Sequence, residues 1–237
     1  MFTIQTLNKI SAKGLEIFPR DQYEIATEIS NPDAIILRSF KMHDMELPPK
    51  LKAIARAGAG VNNIPIDKCT QRGIVVFNTP GANANAVKEL VLAALLLSSR
   101  KIHAGISWAQ SLKGNGSEVS ALVEKGKSQF SGPEIKGKTL GVIGLGAIGV
   151  MVANDALSLG MNVIGYDPFI SINSAWELSS NVAKASSLDH LLSISDYISI
   201  HVPFNENTSG MINKNILKIM KKGVRILNFA RGGLVDN

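Results

Sequence analysis

Two α/β domains, each a parallel sheet covered by helices, are what this sequence of 237 residues predicts. Three observations lead there. Short apolar runs alternate with helical patterns over most of the chain. Each apolar run ends at a polar or glycine-rich stop: Arg38, Gly58 to Gly60, Asn78 to Pro80, Gly144, Asp167, His201 and Arg231. Finally, Gly144 to Gly149 reads GLGAIG, directly after an apolar run and directly before a helical pattern. Open α/β sheets bind ligands at the carboxyl ends of their strands, so two sheets are expected to face one another across a cleft.

In the first third, Ala34 to Leu37 (AIIL), Leu51 to Ala55 and Ile74 to Phe77 (IVVF) read as short buried strands. Pro65 to Arg72 reads as a short helix stopped by Gly73. Asn85 to Ile102 is a long helical pattern, apolar on most faces, and is expected to be buried on nearly all sides. Lys113 to Lys138 is charged and glycine-rich with few large apolar residues, and is read as the connection between two domains. A long surface loop inside one domain is the competing reading. The domains are accordingly set at residues 1–97 and 98–237.

In the second domain, Leu140 to Ile143 is a buried strand that runs into the glycine turn. Ile148, Val152, Ala156 and Leu159 then mark one face of a helix that stops at Gly160. Asn162 to Tyr166 (NVIGY) is the next strand and ends in Asp167-Pro168. Ser187 to Ile194 reads as a short helix capped by Ser186 or Ser187. Tyr197 to Val202 and Val224 to Phe229 are further strands, separated by a basic, helix-like run.

A G-x-G-x-x-G turn between strand and helix is a dinucleotide-binding pattern. Gly144 permits the tight turn, Gly146 permits a pyrophosphate to approach the backbone, and Gly149 permits the helix to pack on the sheet. Ala147 and Ile148 lie in the first turn, whose free N–H groups and dipole attract the diphosphate. Asp167 lies 18 residues past Gly149, where a carboxylate accepts hydrogen bonds from a ribose. It also repels a 2′-phosphate, so NAD rather than NADP is the expected cofactor. A plain glycine-rich turn with a surface aspartate is the weaker reading.

Hydrophobic content of 45% with 19% charged residues is ordinary for a globular chain. The net charge of +6 owes much to Lys214, Lys218, Lys221, Lys222 and Arg225. A solvated helix face explains that run better than nucleic acid, for which no recognisable motif is present. A positive surface also suits a phosphorylated or carboxylate ligand. The single cysteine, Cys69, excludes a disulfide framework, and no His, Asp or Glu spacing points to a metal. Neither a signal peptide nor a membrane span is read, and a cytoplasmic protein is expected.

Taken together, several stretches resemble the NAD-dependent D-2-hydroxyacid dehydrogenases. They are ILRS (Ile36 to Ser39), ARAGAGVNNI (Ala55 to Ile64), VVFNTPGANANAVKELVLA (Val75 to Ala93), GKTLGVIGLGAIG (Gly137 to Gly149), VIGYDP (Val163 to Pro168), HVP (His201 to Pro203) and NFARGGLVD (Asn228 to Asp236). The resemblance implies a Rossmann-type nucleotide domain and a smaller flavodoxin-like substrate domain, both incomplete at the C-terminus. It implies oxidation of a D-2-hydroxy acid to the 2-keto acid, with hydride passing to the nicotinamide.

By the same resemblance, Arg231 pairs with the substrate carboxylate and polarises the reacting oxygen, a task suited to a planar guanidinium fork. Ala59, Gly60 and Val61 match the loop whose backbone N–H groups hold that carboxylate. Arg38, with Ser39, matches a position near a distal phosphate, which points to a phosphorylated acid; a surface arginine is the competing reading. His201, Val202, Pro203 and Ala230 line the cofactor pocket, and His201 is read as lining rather than as the acid/base. His43, His103 and His190 are read as surface or packing residues. A homodimer through the nucleotide domain is implied.

In the family, a glutamate and an acid/base histidine come later than the position of Asn237, so the chain as given is expected to bind NAD weakly or not at all and to show no measurable turnover. Two alternatives stand beside this reading. One is a reductase of glyoxylate, hydroxypyruvate or another 2-keto acid. The other is a non-enzymatic NAD-binding regulator.

Overall fold

The computed structural model describes residues 1–236 and divides into two units, Met1–Asn83 and Ala84–Asn237. The first unit runs β1 (Phe2–Leu7), α1 (Ala12–Leu15), β2 (Tyr23–Ala26), β3 (Ala34–Leu37), β4 (Ala53–Arg56), α2 (Ile66–Gln71) and β5 (Val75–Asn78). Its five strands pair in parallel in the order β2-β1-β3-β4-β5, the flavodoxin-like order. Ile35, Leu37, Ile54, Ile64 and Cys69 are among the residues of its core. The sequence reading missed β1 and β2. FTIQTL alternates apolar residues with Thr3, Gln5 and Thr6, and only Ile4 and Thr6 of that strand are buried.

The second unit begins with α3 (Ala84–Arg100) and α4 (Ile102–Ser111), then α5 (Val119–Gly126) flanked by short 3-10 turns. It continues with β6 (Thr139–Ile143), α6 (Ala147–Ser158), β7 (Asn162–Tyr166), α7 (Ile172–Glu177) and β8 (Ala183–Lys184). The remaining elements are α8 (Leu188–Ile194), β9 (Tyr197–Ile200), α9 (Lys214–Leu217) and β10 (Arg225–Asn228). The strands pair in parallel in the order β10-β9-β6-β7-β8. Counted from β6, these are the first five positions of the Rossmann order, with the switch point between β6 and β9. Val142, Val152 and Ala156 are buried in one core cluster, and Ile143, Leu192 and Ile200 in another.

The division falls after Asn83, earlier than the boundary at Leu97 set from the sequence. The reason is α3. Its Val91 and Leu95 are fully buried in the cluster that holds Leu140, Val152 and Ala156, and Lys88 pairs with Asp155 of α6 at 2.8 Å. Yet α3 is not buried all round, as its apolar pattern had suggested, because Leu90, Leu96 and Leu97 are exposed.

Residues 113–138 are likewise not a bare connection but part of the second unit. There α5 and the 3-10 turn Lys127–Phe130 bring Phe130 to 5.0 Å from Trp108 of α4. Gly126 lies so close to the Trp108 ring that a Cβ would collide with it. Two aromatic rings and small neighbours thus close a cluster that composition alone concealed.

The basic run also departs from the expected helix: only Lys214–Leu217 is helical, Lys221 pairs with Asp196, and Arg225 lies in β10. No single helix among the described residues is long and apolar enough to cross a membrane; α3 and α4 satisfy the criterion only as a pair bent by 63°.

Candidate functional site

Strand β6 delivers the chain to Gly144, whose φ of 89° lies in the left-handed region that glycine adopts without strain. A Cβ there would stand 2.8 Å from the carbonyl of His201 and 2.9 Å from Val202 Cγ1. Gly144 therefore lets the turn lie directly against the end of β9. Gly149 serves packing, since a Cβ on it would collide with the Gly144 carbonyl. Gly146 differs from both. It caps α6, and a Cβ would meet nothing within 4 Å.

The first bond of α6 runs from Val150 N–H to the Gly146 carbonyl at 3.0 Å. The N–H groups of the first turn, Ala147 and Ile148 included, thus precede the intrahelical ladder and are oriented for an anion. Open space over Gly146 together with those donors fits the diphosphate of a dinucleotide.

Asp167 ends β7 beside this turn. One carboxylate oxygen accepts the Leu145 N–H at 2.8 Å and the other accepts the Phe169 N–H at 2.8 Å. These bonds hold the carboxylate in place, and each oxygen keeps lone-pair capacity for a ribose hydroxyl.

His201 lies at the end of β9, with its Nε2 2.8 Å from Ser199 Oγ. Burial pushes its imidazole down from 6.5 to about 4, so it is neutral at pH 7. A base that weak fits the lining role read from the sequence better than proton transfer.

Past β10, Asn228 shapes the loop. Its Oδ1 accepts the Ala230 N–H at 3.1 Å, and its Nδ2 donates to the Arg231 carbonyl at 2.8 Å. Arg231 is exposed and spends one N–H on the Ala230 carbonyl at 2.8 Å. The second unit thus gathers Gly144, Asp167, His201 to Pro203 and Ala230 to Arg231 at the carboxyl ends of four neighbouring strands, β6, β7, β9 and β10.

The first unit places its own candidates at the carboxyl ends of β3 and β4, which are neighbours with Leu37 opposite Arg56. Arg38 and Ser39 follow β3 and are exposed. The Arg38 guanidinium has no partner among the described residues. After β4, Gly58 has a φ of 149° and sits against the Arg56 guanidinium, leaving no room for a Cβ. Asn78 Nδ2 holds the Ala59 carbonyl at 2.7 Å. The N–H groups of Ala59, Gly60 and Val61 meet no acceptor among the described residues. Three successive backbone donors of this loop are thus left available to an acceptor from outside the described chain.

Sequence reasoning missed the asparagines that hold these loops: Asn8, Asn63 and Asn228. Only Asn63 and Asn228 stood inside stretches already singled out; Asn8 carried no signal, because its role depends on contacts about thirty residues away along the chain. Among the described residues, no cluster of three His, Cys, Asp or Glu side chains could hold a metal ion.

The family model for the NAD-binding domain of D-isomer specific 2-hydroxyacid dehydrogenases matches residues 92–237. The chain belongs to that family. D-3-phosphoglycerate dehydrogenase of Mycobacterium tuberculosis is 41% identical over 220 residues, 91% of this chain and 39% of that protein. The Archaeoglobus fulgidus protein of the same name is 38% identical, over 98% of this chain and 42% of its own length. This chain therefore spans about two fifths of the length of the curated relatives it matches.

Among solved structures, NAD⁺-bound 3-phosphoglycerate dehydrogenase of Entamoeba histolytica superposes with a TM-score of 0.77 at 28% identity, covering 99% of this chain and 74% of that one. D-lactate dehydrogenase of Aquifex aeolicus, complexed with NAD and lactic acid, gives 0.74 at 28% identity, covering 99% and 70%. The D-2-hydroxyacid dehydrogenase fold and the NAD cofactor expected from the sequence are both upheld.

Proposed function

We propose that this protein is an NAD-dependent dehydrogenase that oxidises 3-phospho-D-glycerate to 3-phosphohydroxypyruvate, the entry step to serine. NAD, when bound, supplies the hydride acceptor. In this reading, Gly144, Gly146, Ala147, Ile148 and Gly149 hold its diphosphate against the backbone, and Asp167 takes its ribose. His201, Val202, Pro203 and Ala230 line the pocket and exclude water. Arg231 pairs with the substrate carboxylate and polarises the oxygen at C2. Ala59, Gly60 and Val61 offer backbone N–H groups to the same carboxylate, and Arg38 with Ser39 takes the phosphate. A cytoplasmic homodimer through the second unit completes the reading, supported by the exposed Leu90, Leu96 and Leu97 on α3.

The observation that carries the choice of substrate is the pairing, at the ends of adjacent strands, of three free N–H groups with an unpartnered guanidinium. Such an edge suits a ligand with an anion at each end. Calorimetry with 3-phospho-D-glycerate and with D-glycerate tests it. Arg38→Ala is expected to weaken the phosphorylated ligand by about tenfold or more and to leave the other unchanged. Equal binding of both ligands by the parent chain would favour a reductase of an unphosphorylated 2-keto acid instead.

A further inference from the structure

The Arg38 guanidinium has no partner among the described residues, but the backbone beneath it is held. Asn8, just past β1, points its Oδ1 at three successive N–H groups beyond β3: Arg38 at 3.4 Å, Ser39 at 2.9 Å and Phe40 at 2.7 Å. To do so it adopts a φ of 74°, a left-handed conformation that asparagine tolerates better than most residues. The carbonyl side is held as well. Asn63 Nδ2 donates to the carbonyls of Arg38 at 3.3 Å and Phe40 at 2.8 Å, and Arg56 Nε donates to the Arg38 carbonyl at 3.0 Å.

Asn63 is only 8% exposed, and its buried Oδ1 meets no hydrogen-bond partner among the described residues. Rotating the amide would set that oxygen against two carbonyls, so its donors must face the loop. Leaving a buried carbonyl oxygen unsatisfied is costly.

We propose that Asn8 and Asn63 are positioning residues, which fix the main chain of Arg38 to Phe40 so that the Arg38 guanidinium is presented to the distal phosphate of the substrate. The inference rests on the reading of Arg38 as the phosphate contact. With the loop immobilised in advance, binding orders only the arginine side chain, and the affinity otherwise lost to loop ordering is kept. The selectivity for a phosphorylated acid then depends on two neutral side chains assigned no contact with the ligand.

The test is calorimetry on the full chain with 3-phospho-D-glycerate and D-glycerate, alongside thermal melts and amide hydrogen exchange at Ser39 and Phe40. Asn8→Gly keeps the left-handed backbone and removes the acceptor. It is expected to weaken 3-phospho-D-glycerate about tenfold, with D-glycerate binding unchanged and faster exchange at both amides. Asn8→Asp, which retains the acceptor, should restore slow exchange. Asn63→Ser provides the second approach to the same loop and should reproduce the selective loss. Unchanged phosphoglycerate affinity in both Asn8→Gly and Asn63→Ser would overturn the inference. So would an equal loss for both ligands with a lowered melting temperature, which marks a purely structural role. If Arg38→Ala binds phosphoglycerate like the parent, or the parent binds neither ligand, the reading of the phosphate site falls first.

Discussion

Asp33 and Asp196 occupy equivalent places in the two units. Each immediately precedes the strand beside the first strand of its sheet, β3 in one and β9 in the other. Asp33 accepts the Thr3 N–H at 2.9 Å and returns its own N–H to the Thr3 carbonyl at 2.9 Å. Asp196 does the same with Thr139, at 2.8 and 2.9 Å. Each also carries a lysine, Lys50 at 2.8 Å and Lys221 at 3.0 Å. The carbonyl of each then accepts an N–H from the start of the next strand over, Lys52 or Arg225. Two sheets with different strand orders therefore close their amino edges with one local device.

Burial separates the two copies. The Asp33 side chain is 7% exposed and that of Asp196 is 29%. The Lys50 ammonium and the Thr3 N–H and hydroxyl together hold the Asp33 carboxyl down at about 2, although its burial pulls the other way. At Asp196 burial opposes ionisation most, and the Thr139 N–H and Lys221 outweigh it, leaving a carboxyl below its usual range. The carboxyl edges differ more: the first unit has loops held by Asn8, Asn63 and Asn78, whereas the second adds a glycine turn and helix start to the one loop that Asn228 holds. The amino edges serve the fold, and the carboxyl edges carry what distinguishes the units.

That division can be broken in three ways. The largest effect is expected inside the glycine turn. Gly149→Ala forces a Cβ into the Gly144 carbonyl and should cost about 3 kcal/mol in urea unfolding, together with NAD binding. Gly146→Ala should change stability by less than about 0.5 kcal/mol yet weaken NAD binding about tenfold, because it fills only the open space. If both variants lose stability alike, the assignment of Gly146 to the ligand fails.

Next come the two aspartates. Asp33→Ala strands the Thr3 N–H and should cost about 2 kcal/mol, whereas the more exposed Asp196→Ala should cost about 1 kcal/mol. Neither should alter the affinity for NAD, and a selective loss of NAD binding would erase the contrast between the edges.

The third test is in pH, and its effect is confined to acid conditions. His201 is neutral in the fold, with its pKa lowered from 6.5 to about 4, so the unfolded chain takes up its proton first. Stability should therefore decline as pH falls from about 6.5 toward 4, and His201→Asn should remove that decline. Asp33 acts lower: its contribution is complete above its ordinary value of 3.8 and is lost as pH falls toward 2. A flat stability profile between pH 6.5 and 4 in the parent would show that His201 is not buried as described.

Much of this was legible from local pattern. Apolar runs predicted seven of the ten strands among the described residues, because a strand buried on both faces needs apolar residues in succession. The short or half-polar strands β1, β2 and β8 were not legible, since their pairing depends on neighbours distant in sequence. At the carboxyl edge of the second unit, GLGAIG and the acid at the end of the next strand follow one another in the chain, so the cofactor and its turn could be read directly.

Only the tertiary structure decided where the units divide, because α3 is assigned by the core into which Val91 and Leu95 are buried and not by its own sequence. Only the fold, too, showed that Asn8 lies against Ser39 and Phe40 and that Asp33 and Asp196 are counterparts. Such contacts are fixed by strand order, which no local pattern encodes. The sequence by itself determined the elements and the chemistry at their ends; the packing determined which of those ends are held rigid.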